Sequence, residues 1–328
     1  MPAPGPLLRC RCRYKAKVGV YQGTKRRQRR GARSAVGMHG AAAGTSLNVV
    51  TSGQFRFGVV ATPQTSIEDI AGNWQRQARR AEELGYSSVL MPDGMQLPSP
   101  MPTLAVAAAA TTALRVGTFV LASPLRPSAL AAWEAHSMSM LTGGRFEFGI
   151  GTGHPGNVRQ AVEVIGMPET TAAQRLDQVE RSIDRLRELD GDRHTPVLMA
   201  VAGRKALALA AAKADIVTIA IGPLGSRADM ARLAGELRAA AGPRASSLEL
   251  LLNVFVVGDD VPAWMQQFLD ADPATLIAHD SLTMLRGSAQ EMADELQRRR
   301  DAFGTSYVAV NAVFIEQFAP VVELLAGH

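Results

Sequence analysis

The chain has 328 residues, of which 47% are hydrophobic, 20% are charged and 5% are aromatic. This length allows one large domain or two small ones, and the apolar content is ample for a packed core. The formal net charge of +5 suggests, at first, a basic protein with an anionic partner.

The basic residues are unevenly distributed. Eleven lysines and arginines, and no acidic residue, stand before residue 54. Removing these 11 from the 35 leaves 24 basic against 30 acidic residues, so residues 54–328 carry about −6. Residues 1–53 are poor in large apolar side chains and predict a disordered basic extension. Alternatives are a tail that binds phosphates through residues 25–30, a transit peptide, or a coding region assigned too long, with Met38 as the start.

Cysteine content and hydropathy exclude several classes of protein. Both cysteines, Cys10 and Cys12, belong to the extension, so residues 54–328 have no thiol for a disulfide, a metal site or a nucleophile. No apolar run reaches the roughly 18 residues of a membrane span, and no histidine or carboxylate group has metal-ligand spacing. For residues 54–328 we expect a soluble cytoplasmic domain without a metal, a membrane partner or a nucleic-acid partner.

From residue 55 onward, short apolar runs alternate with helical patterns. Eight runs suit strands that are buried on both faces: 55–61, 87–92, 115–121, 145–150, 196–201, 215–221, 249–257 and 307–312. Capping patterns predict four helix starts: Ser66-x-x-Asp69, Thr171-x-x-Gln174, Ser226-x-x-Asp229 and Ser288-x-x-Glu291. Eight strand–helix units predict an α/β fold, the (β/α)8 barrel, with a doubly wound open sheet as the competing arrangement.

A helical insertion at 262–285 follows the seventh predicted strand. In a barrel it would overhang the face where ligands bind. It is interpreted either as a lid, or as a segment that packs on the rim or makes an oligomer contact.

The loops after the strands are the places to look for chemistry in a barrel. Asp93 follows the second strand, where it could contact a heterocycle N–H or form a helix cap or rim ion pair. Arg126 after the third strand suits a structural role at a strand–helix turn better than anion binding. Alternate glycines end the fourth strand and would allow close approach of a flat ligand, and His154 beside them suits proton transfer. His136, His194 and His279 are expected to be structural or solvent-exposed.

Two further loops suit a phosphate group. Gly203, Arg204 and Lys205 follow the fifth strand and open a helix, whose free amides favour an anion. The sixth strand ends in a second glycine-containing loop, at 221–225. Two ordinary tight turns are the alternative interpretation.

Three stretches together carry a family resemblance. They are GYSSVLMPDG at 85–94, the segment 114–154 with its SMLTGGRFEFGIGTG block, and ADIVTIAIGP at 214–223. With them, residues 55–326 resemble the bacterial luciferase-like flavin-dependent oxidoreductases, and within these the branch that uses the deazaflavin coenzyme F420. The resemblance implies a (β/α)8 barrel that binds F420, or alternatively FMN, at its C-terminal face.

The resemblance also implies roles for individual residues. A non-prolyl cis peptide is expected at Phe119-Val120, behind the ring of the cofactor, and His154 is the candidate catalytic proton donor. The implied cofactor-binding residues are Asp93, Gly94, Phe119, Val120, Gly151, Thr152, Gly153, Ala202, Gly203, Ile221 and Gly222. Members of the family are frequently dimers, so a homodimer is expected.

Two departures from the family pattern bear on activity. Gly94 stands where many relatives have a histidine, and only residues 190–195 connect the fourth helix to the fifth strand. The active face is therefore more open than in relatives, or its substrate pocket is incomplete. The leading hypothesis is an F420-dependent oxidoreductase that moves a hydride between the deazaflavin and a small organic substrate. An FMN-dependent monooxygenase and a non-catalytic cofactor-binding barrel are the alternatives.

Overall fold

The structure is a computed structural model that describes residues 53–269 and 271–328. The predicted extension 1–53 lies outside the described residues except for Gly53. The strands are β1 (Arg56–Val60), β2 (Ser88–Met91), β3 (Arg115–Thr118), β4 (Leu121–Ala122), β5 (Phe146–Gly151), β6 (Val197–Val201), β7 (Ile216–Ile219), β8 (Glu249–Val254), β9 (Val256–Val257), β10 (Met284–Leu285) and β11 (Thr305–Asn311). The α-helices are α1 (Ile70–Glu83), α2 (Pro100–Ala109), α3 (Ser128–Leu141), α4 (Pro155–Gln160), α5 (Ala172–Asp190), α6 (Arg204–Lys213), α7 (Arg227–Ala241), α8 (Ala263–Leu269), α9 (Pro273–Ala278), α10 (Ala289–Phe303) and α11 (Ile315–Leu325).

Eight strands form a closed parallel barrel. Around the ring the order is β1, β2, β3, β5, β6, β7, β8 and β11, and β11 pairs with β1 to close it. The short strand β4 continues the path of β3 and pairs with β5. The prediction of a (β/α)8 barrel is thus confirmed, because an open doubly wound sheet has two unpaired edges and this ring has none.

The predicted strands and most of the predicted helix starts are present. Thr171 and Ser288 cap α5 and α10 in reciprocal capping boxes, and Ser226 caps α7 by accepting from the Asp229 amide. The prediction of Ser66 as the first cap is wrong. Asp69 caps α1 instead, because its carboxylate accepts from the Gly72 amide at 2.9 Å and the helix begins one residue after it.

Alternation along the strands separates two cores. Val59 of β1 packs outward against the helices, whereas Val60 points into the barrel, as expected for successive strand residues. The interior cluster is formed by Leu90, Leu198, Ile216, Leu251, Tyr307 and Ala309. Burial of each leucine or isoleucine of this cluster contributes about 1.5–3 kcal/mol. The apolar runs of the sequence are therefore explained by burial on both faces of the sheet.

A buried ionic network fills the N-terminal end of the barrel. Glu147 of β5 is 1% exposed and accepts from Arg56 Nη1 at 2.7 Å and from Arg115 Nε at 2.8 Å. Arg56 also bonds both oxygens of Glu249, and its guanidinium lies 3.5 Å from the ring centre of Tyr307. Burial raises the pKa of Glu147, but the charges of Arg56 and Arg115 outweigh this and hold it below its ordinary value. The carboxylate is therefore ionised, and the network belongs to the stabilising end of the barrel.

The insertion after β8 folds onto the barrel rim. It contains α8 and α9, and its strand β10 pairs with β9, which directly follows β8. Met265 and Leu269 of α8 are buried against the C-terminal face. No helix in the described residues is long and apolar enough to cross a membrane.

Candidate active site

A cavity of about 1250 Å³ opens at the C-terminal end of the barrel. It extends over the ends of five neighbouring strands, β8, β11, β1, β2 and β3, and continues between the outer face of β1 and β2 and helix α1, where Val59, Val89 and Trp74 line it. The strand-end residues that line it include Val60, Pro92, Phe119, Asn253 and Asn311. The insertion contributes Met265 and Leu269, so this segment covers one side of the cavity.

The segment between β3 and β4 forms the wall of the cavity at Phe119. The Phe119-Val120 peptide is cis, as the family resemblance implied. Both side chains pack on the interior cluster of the barrel, and Phe119 also lines the cavity. These two predicted cofactor-binding residues therefore lie at the barrel mouth.

Asp93 and Arg126 fix this wall from the next loop. The Asp93 carboxylate accepts from Arg126 Nη1 at 2.7 Å and Nη2 at 3.1 Å, and from the Ala122 amide at 2.9 Å. Its side chain is 4% exposed and borders the cavity. The rim ion pair considered for Asp93, and the structural role predicted for Arg126, are therefore both present. Gly94 is buried, and a Cβ atom there would lie 2.6 Å from the Gln96 side chain.

The glycines that end β5 are explained by the neighbouring strand. A Cβ atom on Gly149 would lie 1.7 Å from the Thr118 carbonyl oxygen, and one on Gly151 would lie 3.0 Å from the Val120 side chain. At Gly153 the backbone has φ +76°, which favours glycine. The close approach predicted for a flat ligand is, at Gly149, an approach of the protein backbone. Cofactor contacts at 151–153 stay a prediction.

His154 lies on the rim rather than in the cavity. It is exposed, it directly precedes α4, and its backbone amide donates to Asn157 Oδ1 at 2.9 Å. It is not among the residues that line the cavity. The loop before it is held by Arg175, whose Nε donates to the Thr152 carbonyl at 2.9 Å.

Three other histidines of the domain, His136, His194 and His279, have hydrogen-bond partners within the fold. His136 bonds Asp190 at 2.8 Å, His194 bonds Asp215 at 2.9 Å, and the His279 ring lies 2.6 Å from the Leu224 carbonyl oxygen. Their predicted structural or exposed character agrees with these positions.

The ends of β6 and β7 form the other part of the barrel face. Ala202, Gly203 and Gly222 are exposed, and a Cβ atom on either glycine would meet nothing within 4 Å. Gly203 caps α6 with φ +84°, and Arg204 and Lys205 are exposed in the first turn of this 10-residue helix. Free amides and two cations at one helix start make this edge suitable for an anionic group.

Sequence reasoning missed the polar residues of the cavity. Asn253 and Asn311 lie on the interior faces of β8 and β11, two residues beyond Leu251 and Ala309 respectively. The sequence does indicate these two residues, because each is the single polar side chain near the C-terminal end of an apolar run. Asn311 Oδ1 accepts from the Val313 amide at 3.1 Å. Asn253 makes no side-chain hydrogen bond to another described residue.

A closed parallel (β/α)8 barrel with a large cavity at the carboxyl ends of its strands has the architecture of small-molecule-binding barrels. The chain belongs to the luciferase-like monooxygenase family, whose sequence profile matches residues 55–306.

Individual proteins are similar to this chain in sequence over a part of its length, or in fold. An uncharacterised protein of Mycobacterium bovis is 32% identical over 125 residues, which are 31% of this chain and 42% of that protein. An F420-dependent secondary alcohol dehydrogenase, solved with an F420–acetone adduct, superposes with a TM-score of 0.64 at 17% identity, covering 83% of this chain and 98% of that one. The EDTA monooxygenase of Chelativorans sp. BNC1 superposes with a TM-score of 0.62 at 14% identity, covering 83% and 94% of the two chains. At these identities the structural similarity concerns the fold.

Proposed function

We propose that this barrel is an oxidoreductase that binds F420 at its C-terminal face and moves a hydride between the deazaflavin and a small organic substrate. The observation that carries the proposal is the cavity beside Phe119, at the same barrel end as the exposed start of α6. Its volume of about 1250 Å³ exceeds the roughly 300–1,000 Å³ of common small-molecule pockets. Part of this volume lies between the sheet and α1, and the part at the strand ends, beside Phe119, is the proposed place of the ring and the substrate.

The residues on this face suit the cofactor. Gly203 and Gly222 leave open space at the ends of β6 and β7, where a side chain would crowd a phosphate. Arg204, Lys205 and the free amides of α6 supply positive charge there. Phe119 and Val120 offer an apolar surface for the ring, and Asp93 with Arg126 holds that surface in place. In this proposal the ends of β6 and β7 hold the phosphate of the cofactor, and the segment that follows β3 supports its ring.

When bound, F420 supplies the hydride-transfer chemistry itself. The chain's own residues bind, orient and exclude water. The apolar cavity walls keep solvent from the substrate, and the insertion covers them from one side. His154 is proposed as the proton donor, because an imidazole can both donate and accept a proton and this one directly follows the Gly151–Gly153 loop on the same barrel face.

An FMN-dependent oxidoreductase is the second candidate. It is favoured by the family's description as luciferase-like monooxygenases and by the monooxygenases among the similar structures. The same strand ends would serve the FMN phosphate. The two candidates differ in cofactor preference and in the need for oxygen.

The proposed oligomer is a homodimer through α2 and α3. These adjacent helices contain one carboxylate, Glu134, and one histidine, His136, and both side chains are partly buried. Trp133 is 61% exposed and Leu141 is 80% exposed on the outer face of α3. This exposed apolar face of α3, beside the uncharged helix α2, suits a protein interface.

Titration of the full-length protein with F420 and FMN, each followed by cofactor fluorescence, tests the proposal. Saturable F420 binding that is at least about tenfold tighter than FMN binding is expected, a difference of about 1.4 kcal/mol. Tighter binding of FMN than of F420 would refute the F420 proposal and support the FMN-dependent function. Binding of neither cofactor would refute both.

A further inference from the structure

The polar side chains that line the cavity are mainly neutral amides. Asn253 and Asn311 lie at the ends of β8 and β11, and three glutamines border the cavity farther out, Gln64, Gln77 and Gln96. An amide side chain both donates and accepts hydrogen bonds, without a net charge. The cavity therefore offers groups that recognise a carbonyl, an amide or a hydroxyl.

The charged groups among the described lining residues are already paired. Asp93 forms its two-pronged ion pair with Arg126. Arg80 of α1 pairs with Glu316 of α11 through two hydrogen bonds of 2.7 Å, at the outer end of the cavity. Each pair is internally neutral. A charged ligand would thus find no counter-charge among these residues.

Among these amides, Asn253 is the side chain that is best placed to contact a ligand. It lies on the interior face of β8, directly above Leu251. Its amide has no hydrogen-bond partner among the described residues, and it is partly exposed to the cavity. Asn311 keeps its Nδ2 group available, because its recorded contact uses Oδ1 as acceptor for the Val313 amide. Asn253 is paired with Ala309 in the sheet, so Asn311 stands two residues farther along the adjacent strand and both amides can face one ligand.

The rest of the cavity wall is apolar. Phe119, Phe255 and Leu97 face it from three strand ends or loops, and Met265 approaches from the insertion. Transfer of an unpaired charge into such surroundings carries a large desolvation cost, whereas a neutral polar group that is hydrogen-bonded there does not.

We infer that the cavity selects an uncharged, largely apolar substrate with a carbonyl or amide oxygen, which Asn253 and Asn311 orient by donating hydrogen bonds. The inference rests on the proposed function in one respect, because it takes the occupant of this cavity to be the substrate. It concerns recognition alone and involves no covalent step.

The test uses three probes of one shape: benzamide, benzoate and benzylammonium. Their binding to the full-length protein is measured by saturation-transfer NMR, with and without F420 or FMN. Benzamide is expected to bind at least about tenfold more tightly than either ion. Asn253→Leu should weaken benzamide binding about five- to tenfold, and Asn253→Asp should make benzylammonium the preferred probe. Gln290→Leu, which removes an exposed amide of α10, is the matched control and should change nothing.

Several outcomes overturn the inference. They are benzoate binding as tightly as benzamide, benzamide failing to bind, or both Asn253 variants keeping the wild-type ranking while circular dichroism shows them folded. Cofactor titration of the same samples separates this inference from the proposed function. Selective benzamide binding without cofactor binding would refute the proposed oxidoreductase function but would support the inference that the cavity selects an uncharged ligand. Cofactor binding with a preference for benzoate would refute only the neutral pocket.

Discussion

Replacing Glu147 with glutamine removes the central charge of the network at the N-terminal end of the barrel. The carboxylate bonds Arg56 and Arg115 at 2.7 and 2.8 Å and is 1% exposed. Loss of one partner of a buried ion pair costs about 3–5 kcal/mol. Arg56 keeps Glu249, and Arg115 is a quarter exposed and can be hydrated, so the lower end applies. We expect a loss of about 3 kcal/mol in the free energy of unfolding.

Equilibrium urea unfolding followed by circular dichroism measures this loss. Glu188→Gln is the matched control, because Glu188 pairs with Arg185 on the exposed surface of α5 and contributes at most about 1 kcal/mol. Cofactor affinity should be the same in Glu147→Gln and the wild type, since the network lies at the opposite end of the barrel from the cavity. A Glu147→Gln protein as stable as the Glu188→Gln control would refute the assignment of the network as a main source of stability.

The same carboxylate gives a pH dependence with a defined sign. The folded-state pKa of Glu147 lies below the ordinary value of 4.5. Its stabilising contribution is therefore fully present above about 4.5, the unfolded-state pKa, and is lost as the pH falls through the folded-state value. Urea midpoints should fall less steeply below this pH in Glu147→Gln than in the wild type. Parallel curves for the two proteins would contradict the lowered pKa.

Three other substitutions, the first with a matched control, test the barrel packing, the proposed proton donor and the proposed dimer. Gly149→Ala places a methyl group 1.7 Å from the Thr118 carbonyl oxygen and should lower the free energy of unfolding by at least about 4 kcal/mol, measured by thermal unfolding. Gly235→Ala is the control. It lies inside helix α7 with no atom within 4 Å of the added methyl group, and it should raise the free energy of unfolding by about 0.5–1 kcal/mol. His154→Ala should slow turnover at least about 100-fold and leave cofactor affinity nearly unchanged in fluorescence titration; a large loss of affinity would make His154 a binding residue. Trp133→Glu should convert the proposed dimer to a monomer in sedimentation velocity, and an unchanged sedimentation coefficient would exclude the face of α2 and α3.

The barrel could be predicted because strands that are buried on both faces are continuous apolar runs in the sequence. Runs such as 249–257 contain almost no polar residue, and their number and spacing match one turn of the ring. Helix starts could also be predicted where a serine or threonine stands three residues before a glutamine or glutamate, as at Thr171 and Ser288. Ser66 was misassigned because Asp69 could take the same role, and only the helix geometry decides between them.

The contacts of the site were harder to foresee, because they join distant strands. Asp93 and Arg126 are 33 residues apart and meet only after β2 and β3 are paired. Gly149 is a glycine because of Thr118, which is 31 residues away. Asn253 carries a local signal, a polar residue in an apolar strand, but its position over the cavity follows from the closure of the barrel.

Cofactor titration of the full-length protein is the most direct measurement of the central claim. F420 and FMN are titrated separately, and Gly203→Val, which places a branched side chain at φ +84° beside the proposed phosphate site, serves as the variant. We expect saturable F420 binding that is tighter than FMN binding and is weakened at least about tenfold by Gly203→Val. Binding of neither cofactor to a folded wild-type protein would contradict the account.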